Sequence, residues 1–370
     1  MSGYGRPLPV GVVGCGKVSE IYVPNLLADE AALEVVACAD LSLSRAEERS
    51  RQWDIRRTQT VAELLSDSSI ELVVNLTPPT AHASITLAAL ENGKHVFTEK
   101  PLATTRRDCA RIAEVARRRR RRVGGAPDTF LADGLQTARA LIDEGAIGDA
   151  LTACSFMMGP GHPARWGHPN PAYFYQRGAG PLLDIGPYQV SALVALLGPV
   201  TRVTGRARTV IRDVTIEAGP DAGQVIPVNV PLFSAAFLEF ASGACGQLSV
   251  GWGVEGVGLP PLNVYGTRGA IVAPDPNGYD RTVLVKMPDV PQPVRIAPRS
   301  HNTTNGVNAR GLGVREMAMA IREERPHRCS LELTTHVLDV LLSIEESART
   351  GSTLPVPSRC ERPPMLQRLA

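Results

Sequence analysis

Lys100 stands in Thr98-Glu99-Lys100-Pro101, at the end of an apolar run, in a chain that writes its positive charge as arginine. The sequence has 35 Arg and only 4 Lys. Arginine stays protonated at any working pH, whereas a lysine that is desolvated or set beside another cation can lose its proton. Lysine alone of the two can therefore act as a general acid or base. The plain alternative is a surface lysine closing a strand. A second polar pair, Asp184 and Tyr188, lies in an otherwise apolar stretch, Leu182 to Leu197, with helical periodicity. Spaced four apart, the two share one face of the predicted helix, where a carboxylate and a phenol need polar partners. Without such partners they read as an N-cap aspartate and an amphipathic tyrosine at a domain seam.

The elements that must position these groups begin at the N-terminus. Apolar runs of strand length recur between helical stretches at Val10-Gly14, Glu34-Asp40, Arg57-Thr60, Glu71-Thr77, Lys94-Lys100 and Val123-Ala126. This alternation predicts a doubly wound parallel sheet, and the fold class is α/β. The first run leads into Gly14-Cys15-Gly16-Lys17-Val18-Ser19 and then a helix over Glu20-Ala28. Strand, glycine turn and helix in that order suit a dinucleotide. Gly14 allows the tight turn, Gly16 lets the backbone approach a pyrophosphate, and the helix N-terminus offers free N–H groups. Ser19 occupies the third glycine position. Asp40 ends the second strand, 24 residues beyond Gly16, where a carboxylate accepts from ribose hydroxyls. It favours NAD over NADP, although Arg45 nearby offers a cation to a 2′-phosphate; a strand-ending turn aspartate is the alternative. Thr77, Pro78 and His82 follow the fourth strand at the cofactor crevice, and Thr80 is expected to cap a helix over His82-Asn92.

Composition bounds the rest. With 370 residues, 44% of them hydrophobic, the chain is long enough for two domains. We place them at 1–126, dinucleotide-binding, and 127–370, an α+β substrate-binding domain with a large, mostly antiparallel sheet. The net charge of +2 points to neither a nucleic-acid nor a membrane partner. The six arginines 117–122 read as a solvated helix end that favours the negative pole of the dipole. No apolar run has the length of a membrane span and the first residues lack a signal-peptide core, so a cytoplasmic protein is expected. Seven scattered cysteines without C-x-x-C spacing predict thiols, and no His/Cys cluster predicts a metal. The segment between Gly159 and Arg177 is rich in His162, Arg165, Trp166, His168, Tyr173 and Tyr175. Aromatic faces beside polar donors suit a polyhydroxylated ring, with Trp166, His168 and Tyr175 as candidate contacts.

The glycine turn, Asn75-Leu76-Thr77-Pro78-Pro79 with His82, the run Asn92 to Pro101, and Gly178 to Tyr188 together resemble the Gfo/Idh/MocA family of nicotinamide-dependent oxidoreductases. The resemblance implies that Lys100 is the catalytic or substrate-binding lysine and that Glu99 approaches the nicotinamide ribose. It makes Asp184 and Tyr188 the catalytic partners, with tyrosine where the family motif usually has histidine. It further implies homodimers or homotetramers built on the open sheet. The expected activity is NAD-dependent oxidation of a secondary alcohol of a sugar, cyclitol or glycoside. Rival readings are a redox-neutral glycoside hydrolase or lyase that uses tightly bound NAD transiently, an imine or carbonyl reductase, and a non-catalytic sensor.

Overall fold

The computed structural model describes residues 6–159, 163–165, 168, 170–209, 211–255, 258–299 and 308–367. The chain forms β1 (Leu8–Val13), α1 (Ser19–Leu27), β2 (Leu33–Ala39), α2 (Leu43–Trp53), β3 (Arg57–Gln59) and α3 (Val61–Ser66). It continues through β4 (Leu72–Asn75), α4 (Pro79–Glu91), β5 (His95–Thr98), α5 (Arg106–Arg119), β6 (Val123–Gly125) and α6 (Asp133–Asp143). Next come β7 (Ala150–Gly159), α7 (Gly180–Asp184), α8 (Gly186–Leu197), β8 (Val200–Arg208), β9 (Asp213–Thr215) and β10 (Val225–Pro227). The remaining strands are β11 (Phe233–Phe240), β12 (Cys245–Trp252), β13 (Leu262–Gly266), β14 (Gly269–Ala273), β15 (Val283–Lys286) and β16 (Val294–Ile296). Two helices, α9 (Leu312–Arg322) and α10 (Leu331–Thr350), and β17 (Leu354–Pro355) close the order.

Two compact units result. The first comprises Met1–Ala132, Asn302–Leu338 and Leu366–Ala370, and the second Asp133–His301 with Asp339–Met365. The expected division at 126/127 differs from this one, because the first unit takes back a C-terminal segment. Asp128, 1% exposed, supplies the reason: its Oδ2 accepts from the backbone N–H groups of Gly311 and Gly313, each at 2.9 Å, and so caps α9. A side chain at Gly313 would meet Asp128 Cβ at 2.8 Å and Phe97 Cζ at 2.9 Å, so only glycine lets α9 seat there. The backbone of Cys329 then accepts from Gly125 N–H at 3.1 Å, covering the open edge of β6.

In the first unit a six-stranded, all-parallel sheet runs in the order β3-β2-β1-β4-β5-β6. The strand order reverses between β1 and β4, and the crevice at their carboxyl ends is the switch point of a doubly wound sheet. Every residue of β1 and β4 is buried, as strands covered on both faces require. Local chemistry sets the helix starts. Ser42 caps α2, Thr105 caps α5, and Thr60 with Glu63 forms a capping box on α3. For α4 the expectation of a Thr80 cap is corrected: the helix starts at Pro79 after Pro78, with no side-chain cap. Proline there is already locked at a helical φ, and the N–H it lacks would have had no partner within the helix.

The arginine run does close α5, and four of its members are bound rather than merely solvated. Arg118 and Arg119 pair with Glu91, Arg121 donates to the Gly93 carbonyl, and Arg122 donates to the carbonyl of Ala320 at 3.0 Å.

The second unit holds a nine-stranded sheet in the order β16-β15-β14-β13-β7-β12-β11-β8-β17, antiparallel except for the β7/β12 pair. Helices α6, α7 and α8 pack on one face. Helix α8 is buried at every position, so its sequence is apolar all round rather than striped. The short strands β9, β10, β15, β16 and β17 were not legible as strands, because runs of two to four residues carry no usable period.

Candidate active site

The carboxyl ends of β1, β2, β4 and β5 gather the first group of expected residues. At the glycine turn Gly14 has φ +102°, and a Cβ on it would lie 2.7 Å from the Leu76 carbonyl and 2.8 Å from Thr77 N. The turn therefore touches the loop after β4, and only glycine permits this. A Cβ on Gly16 would meet nothing within 4 Å, which leaves the backbone open to a ligand. Ser19 is fully buried and donates to the Gly16 carbonyl at 2.5 Å, which ties the first residue of α1 back to the turn. Among the described residues the N–H groups of Gly16, Lys17 and Val18 find no protein acceptor. Three unmatched donors at the start of α1 fit a pyrophosphate.

Asp40 accepts from Cys15 N–H at 2.8 Å, from Ser42 N–H at 2.9 Å and from Arg45 Nη1 at 3.4 Å. Its carboxylate thus braces the turn and retains lone pairs for a ribose hydroxyl. The Cys15 thiol is driven up by the neighbouring Cys38 thiol and by burial, so it stays protonated.

The loop after β4 is built by Asn75. Its Oδ1 accepts from Thr77 Oγ1 at 2.6 Å and Thr77 N–H at 3.3 Å, and its Nδ2 donates to the His82 carbonyl at 3.1 Å. Pro78 extends the chain into α4. His82 departs from the expectation of a residue facing the cofactor. It is fully buried, with Nδ1 2.6 Å from the Pro101 carbonyl and Nε2 2.7 Å from the Thr77 carbonyl. Burial pushes its pKa down, against the pull of the two carbonyls.

Glu99 is 6% exposed. Its Oε1 accepts from Tyr22 Oη at 2.7 Å and its Oε2 from Lys100 N–H at 2.8 Å. Lys100 itself is half-buried at the rim of the sheet. Tyr22 was not singled out from the sequence, and Asn75 entered only as part of a motif, without a role of its own. Asn75 carried a usable signal, an asparagine two residues before Thr77 at a strand end, which is an Asx-turn pattern.

In the second unit, Asp184 and Tyr188 do not share one helix. Asp184 is the last residue of α7, and Tyr188, 6% exposed, is the third of α8. The break at Ile185 has a chemical cause: Pro187 lacks the N–H that would have bonded the Leu183 carbonyl, and Tyr188 N–H bonds Ile185 instead at 3.1 Å. Helix α7 packs on β12 and on the 3₁₀ turn Pro171–Tyr175. There His168, Tyr173, Phe174, Tyr175 and Trp252 form a chain of edge-on rings with centroids 4.8–6.2 Å apart. His168 Nδ1 accepts from Asn170 N–H at 3.0 Å. Tyr175 is fully buried and burial pushes its phenol up to about 12, so it supports the cluster from beneath. Trp252, 3% exposed, was missed because it ends a strand 75 residues beyond the aromatic loop. Its indole N–H has no acceptor among the described residues. His162 and Trp166 lie outside the described residues. Among those described, no three His, Cys, Asp or Glu side chains are grouped to hold a metal.

The profile of the oxidoreductase family with an NAD-binding Rossmann fold matches residues 8–125, and that of the Gfo/Idh/MocA C-terminal domain matches 135–272. The chain belongs to the Gfo/Idh/MocA oxidoreductase family. Among curated Gfo/Idh/MocA relatives is dTDP-3,4-didehydro-2,6-dideoxy-alpha-D-glucose 3-reductase of Saccharopolyspora spinosa, 29% identical over 269 residues, covering 72% of this chain and 74% of the relative. Another is scyllo-inositol 2-dehydrogenase (NAD+) of Bacillus subtilis, 27% identical over 247 residues, covering 64% and 65%. Levoglucosan dehydrogenase in complex with NADH and levoglucosan shares the fold, with a TM-score of 0.82 at 22% identity over 95% of this chain and 100% of that one.

Proposed function

We propose that this Gfo/Idh/MocA protein is an NAD-dependent dehydrogenase that moves a hydride between the nicotinamide and a secondary alcohol of a sugar, cyclitol or glycoside. The observation that carries the reading is the convergence, at one end of the parallel sheet, of unmatched helix N–H groups, the Asp40 carboxylate and the pinned peptide of Lys100. Bound NAD supplies a carbon that takes the hydride. Asp40 supports NAD over NADP, since its carboxylate repels a 2′-phosphate and already engages Arg45. The protein's own residues handle the proton. Lys100 takes it from the substrate hydroxyl, and the family motif assigns Asp184 to orient that hydroxyl and Tyr188 to relay the proton. His168 and its aromatic neighbours offer apolar faces to the C–H side of a sugar ring, and Trp166 belongs to the same proposed segment. The curated relatives include inositol dehydrogenases and a keto-sugar reductase, which supports the substrate class in both directions of the reaction.

No described helix is long and apolar enough to cross a membrane, and we read the protein as cytoplasmic. We further read the helix-free face of the nine-stranded sheet as the seat of a second copy. That face presents Phe237 and Tyr265, each 44% exposed, and is rimmed by Arg202, Arg206 and Arg208.

A spectrophotometric screen at 340 nm with NAD and NADP against sugars, inositols, sugar acids and glycosides tests the proposal. NADH formation with one substrate class is the expected result. Glycoside cleavage detected by mass spectrometry without net NADH would replace the dehydrogenase by a redox-neutral enzyme.

A further inference from the structure

We propose that His82 is a positioning residue that couples the loop at the cofactor turn to the backbone of Lys100. The inference rests on the proposed use of the crevice for NAD. The contacts within the first unit form a closed circuit. The glycine turn touches Leu76 and Thr77, at the 2.7–2.8 Å that a Cβ on Gly14 would show. The Thr77 carbonyl faces His82 Nε2 at 2.7 Å, and His82 Nδ1 faces the Pro101 carbonyl at 2.6 Å. The preceding Lys100 N–H is held by Glu99 Oε2 at 2.8 Å, and Glu99 Oε1 is held by Tyr22 at 2.7 Å. Tyr22 lies on α1, which springs from the glycine turn. His82 is the one side chain in this circuit that touches the backbones of both loops.

The ring is well placed for this. It is fully buried in the first turns of α4, and its own carbonyl is held by Asn75 Nδ2 at 3.1 Å, which anchors the backbone that carries the imidazole to the strand-end loop. The ring donates to one carbonyl when neutral and to both only as the imidazolium, so what ties the two backbones is the buried imidazole filling the space between them, its nitrogens 2.6 and 2.7 Å from the two carbonyls. A displacement of the Thr77 loop by a pyrophosphate is thereby transmitted to the peptide that follows Lys100, and the reverse holds equally, as linkage requires.

The two arms can be cut separately. An asparagine amide nitrogen sits where the histidine Nδ1 was, and a glutamine amide nitrogen where Nε2 was. His82→Asn therefore keeps the Pro101 arm, and His82→Gln keeps the Thr77 arm. Each amide donates whatever the pH, so the test is independent of the histidine's protonation. With only four lysines in the chain, a 13C-lysine spectrum resolves Lys100, assigned by its loss in Lys100→Met, while calorimetry reads NAD affinity. Neither readout needs a substrate, so an error in the substrate class leaves the test intact.

His82→Asn is expected to weaken NAD about tenfold and leave the Lys100 signal in place. His82→Gln is expected to hold NAD affinity within about twofold and move the Lys100 signal. Parallel losses in both variants, the signature of a merely structural histidine, would overturn the proposal, as would no change in either. Should a variant fail to fold, the wild-type protein decides: NAD must shift the His82 ring 15N resonances together with Lys100, and stationary His82 resonances refute the coupling.

Discussion

Among the four lysines, Lys94 and Lys286 collect backbone carbonyls: Lys94 Nζ reaches Asp67 at 2.6 Å and Ile70 at 2.9 Å, and Lys286 Nζ reaches Pro291 at 3.3 Å. Scarcity alone therefore does not mark a lysine as chemical. Lys100 differs in standing just beyond the carboxyl end of β5, beside β4, at the end of the parallel sheet where a doubly wound fold binds its ligand. Lys100→Met should lose at least about a thousandfold in kcat, as removal of a general base does, with NAD affinity retained in calorimetry; retained turnover would remove Lys100 from the mechanism. Asp40→Asn should weaken NAD about tenfold, since it removes a charged acceptor from the Cys15 N–H and from the ribose. NADP affinity should stay level or rise, which a paired titration reads directly. The strand-end positions of the glycine turn, Asp40 and Lys100 were legible because each pairs a residue type with the end of an apolar run. The contacts of His82, Tyr22 and Trp252 were not, since they run to partners 5 to 78 residues away that periodicity does not connect.

The pattern named the buried strands of the parallel sheet, because they are written as unbroken apolar runs and need no partner to be seen, whereas β3, Arg57-Thr58-Gln59 and only half-buried, showed only as a weak run between two helical stretches. It failed at α7/α8, where the apolar pattern continues through a proline that interrupts the hydrogen bonds but leaves the hydrophobicity unchanged. Strand β5 carries a prediction of its own. His95 accepts Arg122 N–H at Nδ1, 2.9 Å away, and burial with Arg121 and Arg122 nearby lowers its pKa to about 4. The unfolded chain, with an ordinary histidine near 6.5, binds the proton first, so stability falls as pH drops from about 6.5 and levels below about 4. Urea unfolding should show about 2 kcal/mol less stability at pH 5 than at pH 7. His95→Gln should reduce that slope, the remainder coming from His82 and His327, whose burial lowers them in the same sense, and an unchanged slope would place its origin wholly elsewhere.

For the molecule as a whole, the two-part architecture follows from the change of pattern near Ala150, whereas the discontinuity of the first unit does not. Nothing local in Leu312–Arg322 says that this amphipathic helix belongs to a sheet made two hundred residues earlier; the Asp128 cap and the glycine contact at Gly313 do. On the open sheet face, a charge beside the exposed aromatics should separate copies: Phe237→Lys is expected to convert the proposed oligomer to a monomer in light scattering with the fold intact by circular dichroism. A monomeric wild-type protein would end the reading of that face as an interface. The return of α9 has a consequence for how the protein is made. A ribosome releases the β6 edge, Asp128 and Phe97 long before Gly311, Gly313 and Cys329 exist to cover them. The parallel sheet is translated through β6 nearly two hundred residues before α9 can complete it, so a nascent chain stalled before α9 presents an uncovered sheet edge and an uncapped buried carboxylate to whatever chaperone waits outside.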